Sequence, residues 1–305
     1  MKAIRIHSYG NEGELVSEEV PKPEFKPNEV LVRVHDAGVN PIDWKIRAGF
    51  MKEWMPATFP MTMGQDFAGE VVEVGQKVKD YAVGDRVFGF AKGAYAEFVA
   101  APEAKIAAIP ESVEFKVAAS LPTPGLTAYQ IIVNKIKCFA GQRILIHGAA
   151  GAVGSLAVQI AKFHGAYVAT TASDDDATYL LELGADRVID YKAQPFEEFF
   201  HDFDAVVDLV GGTTLSRSYQ CVKRGGVVVS TVGPVNQDEA KKYEVQAIQF
   251  MMDPNAEDLK IVALLAKQGK IKPRLSVTFP LDKAKEAQDL NQSGKSHGKI
   301  ILQMT

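Results

Sequence analysis

The chain has 305 residues, 47% hydrophobic and 24% charged, a composition of a soluble globular protein long enough for two domains with cores of their own. Its formal net charge of −4 disfavours nucleic acid or an anionic membrane as partner, and no apolar run reaches the roughly 18 residues of a membrane span. The only two cysteines, Cys138 and Cys221, cannot make a disulfide framework. With no C-x-x-C spacing and no hydrophobic leader, the expected setting is the reducing cytoplasm.

From the N-terminus, residues 1–10 (MKAIRIHSYG) alternate apolar and polar as a strand does. Short runs bounded by Gly and Pro continue to about Pro122, among them Glu29 through Val34, Gly69 through Gly75 and Tyr95 through Val99. This spacing predicts a compact β domain of barrel type. From Thr127 the texture changes. Strands are expected at 143–147, 167–171, 187–190, 205–210, 226–231 and 245–250, with helices between them, the rhythm of a doubly wound parallel sheet. The tail adds a strand (Arg274 to Phe279), a helix (Leu281 to Leu290) and a last strand (Gly298 to Gln303) that is expected to return to the first domain. The expected fold is α/β, with residues 1–122 and 270–305 in a β-barrel domain and residues 123–269 in a Rossmann domain.

The most informative stretch is Arg143 to Lys162, RILIHGAAGAVGSLAVQIAK. It reads as a buried strand, a turn punctuated by Gly148, Gly151 and Gly154, and a helix with one apolar face. Ala149 stands where a G-x-G-x-x-G motif has its first glycine, and the strand–turn–helix context carries the reading instead. The backbone N–H groups of Ala150, Gly151, Ala152 and Val153 are the expected contacts for a dinucleotide pyrophosphate. Leu209, Val210 and Gly211 end the fourth strand of this domain, where the ribose passes. Val232 and Gly233, after Thr231, end the fifth, where backbone atoms read the carboxamide. About 20 residues beyond the turn, an NAD site has an acid for the ribose 2′-hydroxyl. This chain has Thr171-Ala172-Ser173 there, which leaves room for a 2′-phosphate that Ser173 can donate to. Asp174-Asp175-Asp176 follow and would repel such a phosphate, unless they cap the helix from Ala177 to Leu183 and face water. NADPH is therefore the expected cofactor, with NADH possible.

Four further strings point to one family. Ala37 through Lys45, AGVNPIDWK, resembles the N-P-x-D segment of the medium-chain dehydrogenase/reductase superfamily, and Gly64 through Val71, GQDFAGEV, its G-x-D-x-A-G-x-V turn. Val83 through Val87 resembles its G-D-R-V turn, and Leu121 through Ala128 its interdomain helix start. The strings span most of the chain in the family's order. They are most similar to the zinc-independent quinone oxidoreductases of the zeta-crystallin-like branch. The resemblance implies a GroES-like catalytic domain beside the Rossmann domain, and hydride transfer from a nicotinamide. By the same resemblance Thr127 touches the nicotinamide side, Gly298 and Lys299 form the closing G-K segment near the nicotinamide end, and the sixth Rossmann strand pairs across a two-fold axis in a homodimer.

Where alcohol dehydrogenases of that superfamily carry catalytic zinc ligands, this chain has Asn40, Gln65 and Thr123. Zinc prefers thiolate, imidazole or carboxylate, so no zinc is expected. Without a Lewis acid the substrate must accept hydride readily, as quinones and enones do, and the protein's part is positioning and stabilising charge on a carbonyl oxygen. Three neighbours, Asn40, Asp43 and Lys45, are the expected catalytic group: Asn40 as donor to the carbonyl oxygen or the cofactor carboxamide, Lys45 as donor to the oxyanion, Asp43 orienting Lys45 or a water. Phe50, Met51, Trp54 and Met55 suit either an apolar substrate pocket or the core. The expected function is NADPH-dependent reduction of quinones or activated C=C bonds. The alternative is a non-catalytic, crystallin-like nucleotide-binding protein.

Overall fold

The computed structural model describes residues 1–10 and 15–304. They form two compact units, one of Met1–Thr123, Pro254–Gln268 and Pro273–Thr305, the other of Pro124–Asp253 and Gly269–Lys272.

In chain order the first unit opens with β1 (Lys2–Ile6), β2 (Val16–Glu19) and the long β3 (Glu29–Val39). Next come α1 (Pro41–Arg47), β4 (Met61–Thr62), β5 (Asp66–Val74), β6 (Arg86–Phe90), β7 (Phe98–Pro102), β8 (Ile106–Ala108) and α2 (Phe115–Ala119); α3 (Pro122–Tyr129) follows, its residues from Pro124 on belonging to the second unit. β1 lies between β2 and β4 in a small antiparallel sheet. β3 pairs antiparallel with both β5 and β7. Val30, Val32 and Val34 recur at the two-residue strand period and enter a core with Phe67, Val71 and Ile106. The strand expected at Tyr95–Val99 is divided between two partners. Tyr95 and Ala96 bond to Met63, Ile4 and Ala3, and β7, from Phe98, pairs with β3.

The second unit contains β9 (Arg143–His147), α4 (Ala152–Phe163), β10 (Tyr167–Ala172), α5 (Ala177–Glu182) and β11 (Arg187–Asp190). It continues with β12 (Phe203–Asp208), α6 (Gly212–Ser218), β13 (Val222–Ser230), α7 (Gln237–Lys242) and β14 (Gln246–Gln249). Its six strands are all parallel, in the order β11-β10-β9-β12-β13-β14. The winding reverses between β9 and β12, and ligands of such sheets bind at the carboxyl ends beside that switch point. Ile144, Leu145 and Ile146 of β9 are all fully buried, which explains why that strand is an unbroken apolar run.

The chain then forms α8 (Ala256–Lys267), β15 (Leu275–Pro280), α9 (Ala284–Gln292) and β16 (Lys299–Gln303). The sequence pattern places α8 inside the Rossmann domain, residues 123–269, whereas in the structure it packs on β8 in the first unit, and the short segment Gly269–Lys272 belongs with the second. Its spacing of Leu259, Val262 and Ala263 guarantees a buried face but not against which sheet. β16 pairs antiparallel with β3, Ile300 opposite Val39 and Ile301 opposite Gly38. Among the described residues no helix is long and apolar enough to cross a membrane.

Candidate active site

The first unit buries a cluster of polar side chains at the shared ends of β3, β5 and β16. Asn40 caps the start of α1, with Pro41 in the first helical position and Asp43 two residues on. The Asp43 carboxylate accepts from the Asn40 backbone N–H at 2.7 Å, the acid-to-cap half of a capping box. Part of the N-P-x-D pattern is therefore helix-start chemistry, which fixes Asn40 in place.

The Asn40 side chain is 3% exposed. Its Oδ1 accepts from the Lys299 ammonium, while its Nδ2 has no partner among the described residues. Lys299, also 3% exposed, donates at 2.9 Å to Asp66 Oδ2. Thr123 holds the other side of the Asp66 carboxylate, its hydroxyl donating to Oδ1 at 2.6 Å and its backbone N–H to Oδ2 at 3.2 Å. Gly38 makes room for the lysine, since a Cβ there would stand 2.7 Å from Lys299 Cε and 2.5 Å from the Ala119 carbonyl oxygen.

Asp43 is fully buried, and desolvation pushes its carboxyl up to about 7 against the opposing pull of the Asn40 N–H and the Tyr95 hydroxyl. The Tyr95 hydroxyl donates to Asp43 at 2.7 Å, and burial drives its own pKa well above the usual tyrosine range. The Gln288 amide of α9, fully buried, faces the same hydroxyl.

Of the expected catalytic group, the structure joins Asn40 and Asp43 but not Lys45. The Lys45 ammonium lies 5.7 Å from the Trp44 ring centroid on the outside of α1, and Asp43 takes both the Asn40 N–H and the Tyr95 hydroxyl on Oδ2, its Oδ1 being buried without a partner among the described residues, so that neither oxygen orients Lys45. Helical geometry explains the separation, because residues two apart on a helix face different ways. Phe50 and Trp54 are 72% and 68% exposed, whereas Met51 and Met55 pack against the core. Lys299, expected to touch cofactor, has its ammonium on Asn40 and Asp66, and Gly298 is buried against Arg274, whose carbonyl oxygen would meet a Cβ at 2.6 Å. Asp66, Tyr95 and Gln288 were not anticipated. The one available signal was a carboxylate opening a strand that is otherwise apolar at its start, Asp66-Phe67-Ala68.

In the second unit, Gly148 turns out of β9 with φ +70°, and Gly151 precedes α4 with no side chain capping it. A Cβ on Gly154 would fall 2.4 Å from the Gly148 carbonyl oxygen, so the first turn of α4 packs directly on the loop. Gly151 is exposed and Ala152 and Val153 half-exposed, leaving the uncapped end of a twelve-residue helix open to an anionic group, as a pyrophosphate cradle requires. Asp208 at the end of β12 accepts from the Val210 and Gly211 N–H groups and the Ser230 hydroxyl, which ties the two strand-end loops together. Gly211, Val232 and Gly233 line a cavity of about 280 Å³ with Leu215 and Tyr219. Leu209 and Val210 sit on its loop, and Thr127 is buried in α3.

The end of β10 departs from expectation. The Thr171 hydroxyl is turned inward against His147 Nδ1 at 2.8 Å, and burial pushes that imidazole down to about 3, so it stays neutral. Asp174 and Asp175 are exposed, but Asp176 is buried and accepts from the Ser173 hydroxyl at 3.3 Å. Only two of the three carboxylates face water, and none caps α5 with its side chain.

Two family models match this chain: the alcohol dehydrogenase GroES-like domain over residues 26–111 and the zinc-binding dehydrogenase over residues 183–302. Among curated relatives, a chloroplast envelope quinone oxidoreductase homolog of Arabidopsis thaliana is 35% identical, over 99% of this chain and 98% of its own. A 2-methylene-furan-3-one reductase of Solanum lycopersicum is 34% identical, over 99% of this chain and 79% of its own. The solved quinone oxidoreductase of Coxiella burnetii superposes with a TM-score of 0.94 at 36% identity, covering 100% of this chain and 99% of that one. An Escherichia coli quinone oxidoreductase complexed with NADPH gives 0.91 at 28% identity, over 99% and 100%. This chain belongs to the quinone oxidoreductase branch of the medium-chain dehydrogenase/reductase superfamily. One matched family model is described as zinc-binding, yet the donor set does not fit that metal. The positions that resemble zinc-ligand sites hold two amides and a hydroxyl, Asn40 is bonded to the Lys299 cation and Thr123 to Asp66. No group of three His, Cys, Asp or Glu suited to a metal occurs among the described residues.

Proposed function

We propose that this member of the quinone oxidoreductase branch is a zinc-independent, NADPH-dependent reductase of quinones and of the activated C=C bond of α,β-unsaturated carbonyl compounds, with Asn40 as the donor to the substrate oxygen. The carrying observation is the Asn40 amide, buried with its Oδ1 held and its Nδ2 unpartnered. A buried donor without an acceptor costs about 1–3 kcal/mol; a substrate oxygen would satisfy it. A non-catalytic nucleotide-binding protein has no use for such a donor, and no observation favours that reading.

Bound NADPH supplies the hydride. At an enone the hydride adds to the β-carbon, the C=C pair moves toward the carbonyl, and the Asn40 N–H holds the charge that develops on oxygen. A proton from water completes the α-carbon. Asp43 and Tyr95 hold the backbone from which Asn40 projects. Ala152 and Val153, at the uncapped start of α4, present N–H groups to the pyrophosphate, while the Gly151 N–H donates to the Gly148 carbonyl at 3.2 Å and closes the turn; the loops of Gly211 and Gly233 carry the ribose and carboxamide. The preference for NADPH is supported by the absence of an acid among Thr171, Ala172 and Ser173 at the end of β10. The NADPH complex of the E. coli relative supports it too. The exposed edge strand β14 supports a homodimer built by edge pairing, which a monomeric mass in light scattering would rule out. Two free thiols, Cys138 and Cys221, support a cytoplasmic setting.

The test is oxidation of NADPH and of NADH, in parallel, with an ortho-quinone and a short alkenone. Turnover faster with NADPH supports the whole reading. Turnover with NADH alone assigns the acidic run after β10 to the ribose hydroxyls. Tight cofactor binding without turnover on any acceptor overturns the assignment of a reductase.

A further inference from the structure

We propose that Lys299 is a positioning residue that decides which end of the Asn40 amide meets the substrate. The inference rests on the reading of Asn40 as the oxyanion donor. A side-chain amide carries an acceptor at one end and two donors at the other, and a half-turn about its last bond exchanges them. An ammonium offers donors only. With Lys299 Nζ against it, the Asn40 amide must present Oδ1 inward to the lysine, and Nδ2 is forced to the unpartnered side. With the amide reversed, two donors would face each other, and a carbonyl oxygen would repel the substrate oxygen it is meant to hold. The cation at Oδ1 also draws electron density from the amide and strengthens its N–H groups as donors.

Lys299 is itself built in. Asp66, fully buried, receives the ammonium on one oxygen and the Thr123 hydroxyl on the other. The lysine stem passes over Gly38, where no side chain would fit. The buried turn at Gly298, φ +137°, delivers the lysine to the start of β16. Nothing in this arrangement gives Lys299 a role in holding cofactor phosphate: its side chain is 3% exposed and its ammonium faces an amide and a carboxylate.

The experiment is a double-mutant cycle on the full chain, with Asn40→Ala, Lys299→Met and the two combined. It reads kcat and acceptor KM with an ortho-quinone, and NADPH affinity by calorimetry. Each single variant is expected to lower kcat by about 10- to 100-fold, with NADPH affinity within about twofold of the parent. Lys299→Met added to Asn40→Ala is expected to cost less than about threefold more, because the lysine acts through the amide. Additive losses in the double variant overturn the proposal, as does a loss of NADPH affinity that accounts for the fall in rate. Full activity in Asn40→Ala would sink the reading of Asn40 itself. An impaired Asn40→Ala beside a fully active Lys299→Met sinks the positioning role alone. If Lys299→Met does not fold, the Lys299→Met/Asp66→Asn pair, which removes both charges, takes its place with the same expected loss of kcat, and wild-type kcat in that pair overturns the proposal.

Discussion

In the second unit the cradle is main chain. Gly148, Gly151, Ala152 and Val153 lie within one turn, the contacts proposed for the pyrophosphate are backbone N–H groups, and side chains matter where they would fill space, as at Gly154. In the first unit the cluster is built mainly from side chains, and most of its members come from far apart. Lys299 reaches Asn40 across 259 positions and Asp66 across 233. A site made of backbone tolerates changes of side-chain chemistry and fails by steric intrusion. One made of buried charge fails as soon as a single partner is lost, because the remaining charge is left without compensation. The two units should therefore respond differently to the same kinds of substitution.

The largest effect is expected at Asp66. Asp66→Ala leaves the Lys299 ammonium buried with no counter-charge, and breaking such a pair costs about 3–5 kcal/mol, read as a lower urea midpoint. Removing both charges in Lys299→Met/Asp66→Asn should cost much less. If the single and double variants lose equal stability, charge is not what holds this cluster and the contrast fails.

Asp43 sharpens the contrast through pH. Its carboxyl is raised from 3.8 to about 7, chiefly by desolvation, so between those values the folded state binds a proton that the unfolded state has released. Stability from this group is fully present below about pH 4 and is lost as pH rises through about 7. The shift of about three units corresponds to about 4 kcal/mol. Asp43→Asn, which cannot ionise, should flatten the decline between pH 4 and 7 in denaturation measured across that range. An unchanged slope would mean the carboxyl stays ionised in place.

In the cradle, Gly154→Ala puts a methyl group 2.4 Å from the Gly148 carbonyl oxygen and 2.5 Å from Ala149 Cα. Overpacking of this kind costs about 1–3 kcal/mol. Because the loop must shift to accommodate it, NADPH affinity should fall along with stability. A stable variant with unchanged affinity would show that the loop yields without disturbing its N–H groups.

These differences also explain what could be read in the chain beforehand. The parallel strands and the glycine turn leave local marks: Ile144 to Ile146 are apolar because both faces of β9 are covered, and the glycines fall where the backbone bends. Asn40 and Asp43 leave a local mark too, since the helix-start bond that joins them spans three residues. Asp66, Tyr95 and Gln288 do not. Asp66 takes its meaning from a register between β3, β5 and β16, Tyr95 from a hydroxyl that reaches Asp43 across 52 positions, and Gln288 from the packing of α9 on α1 and β16, none of which local sequence states. α8 was misplaced for a related reason: amphipathicity shows that a face is covered but not what covers it. Lys299 was noticed, but its partners depend on Gly38, which leaves space rather than making a contact.

Lys45 gives the smallest effect and the closest test of that lesson. By sequence it lies five residues from Asn40 and two from Asp43, and it carries the charge an oxyanion would seek. By structure it lies along Trp44, partly exposed, where a cation over an aromatic ring contributes about 0.5–1 kcal/mol. Lys45→Ala should change stability by no more than that and leave kcat/KM within about twofold, because the buried cation at Asn40 is Lys299. A hundredfold fall in kcat/KM, about 2.7 kcal/mol, would mean that Lys45 leaves Trp44 during turnover. The charge stabilising the oxyanion would then come from Lys45, five residues beyond the Asn40 cap, as well as from the far end of the chain, and the division between a locally built cradle and a remotely built cluster would no longer hold.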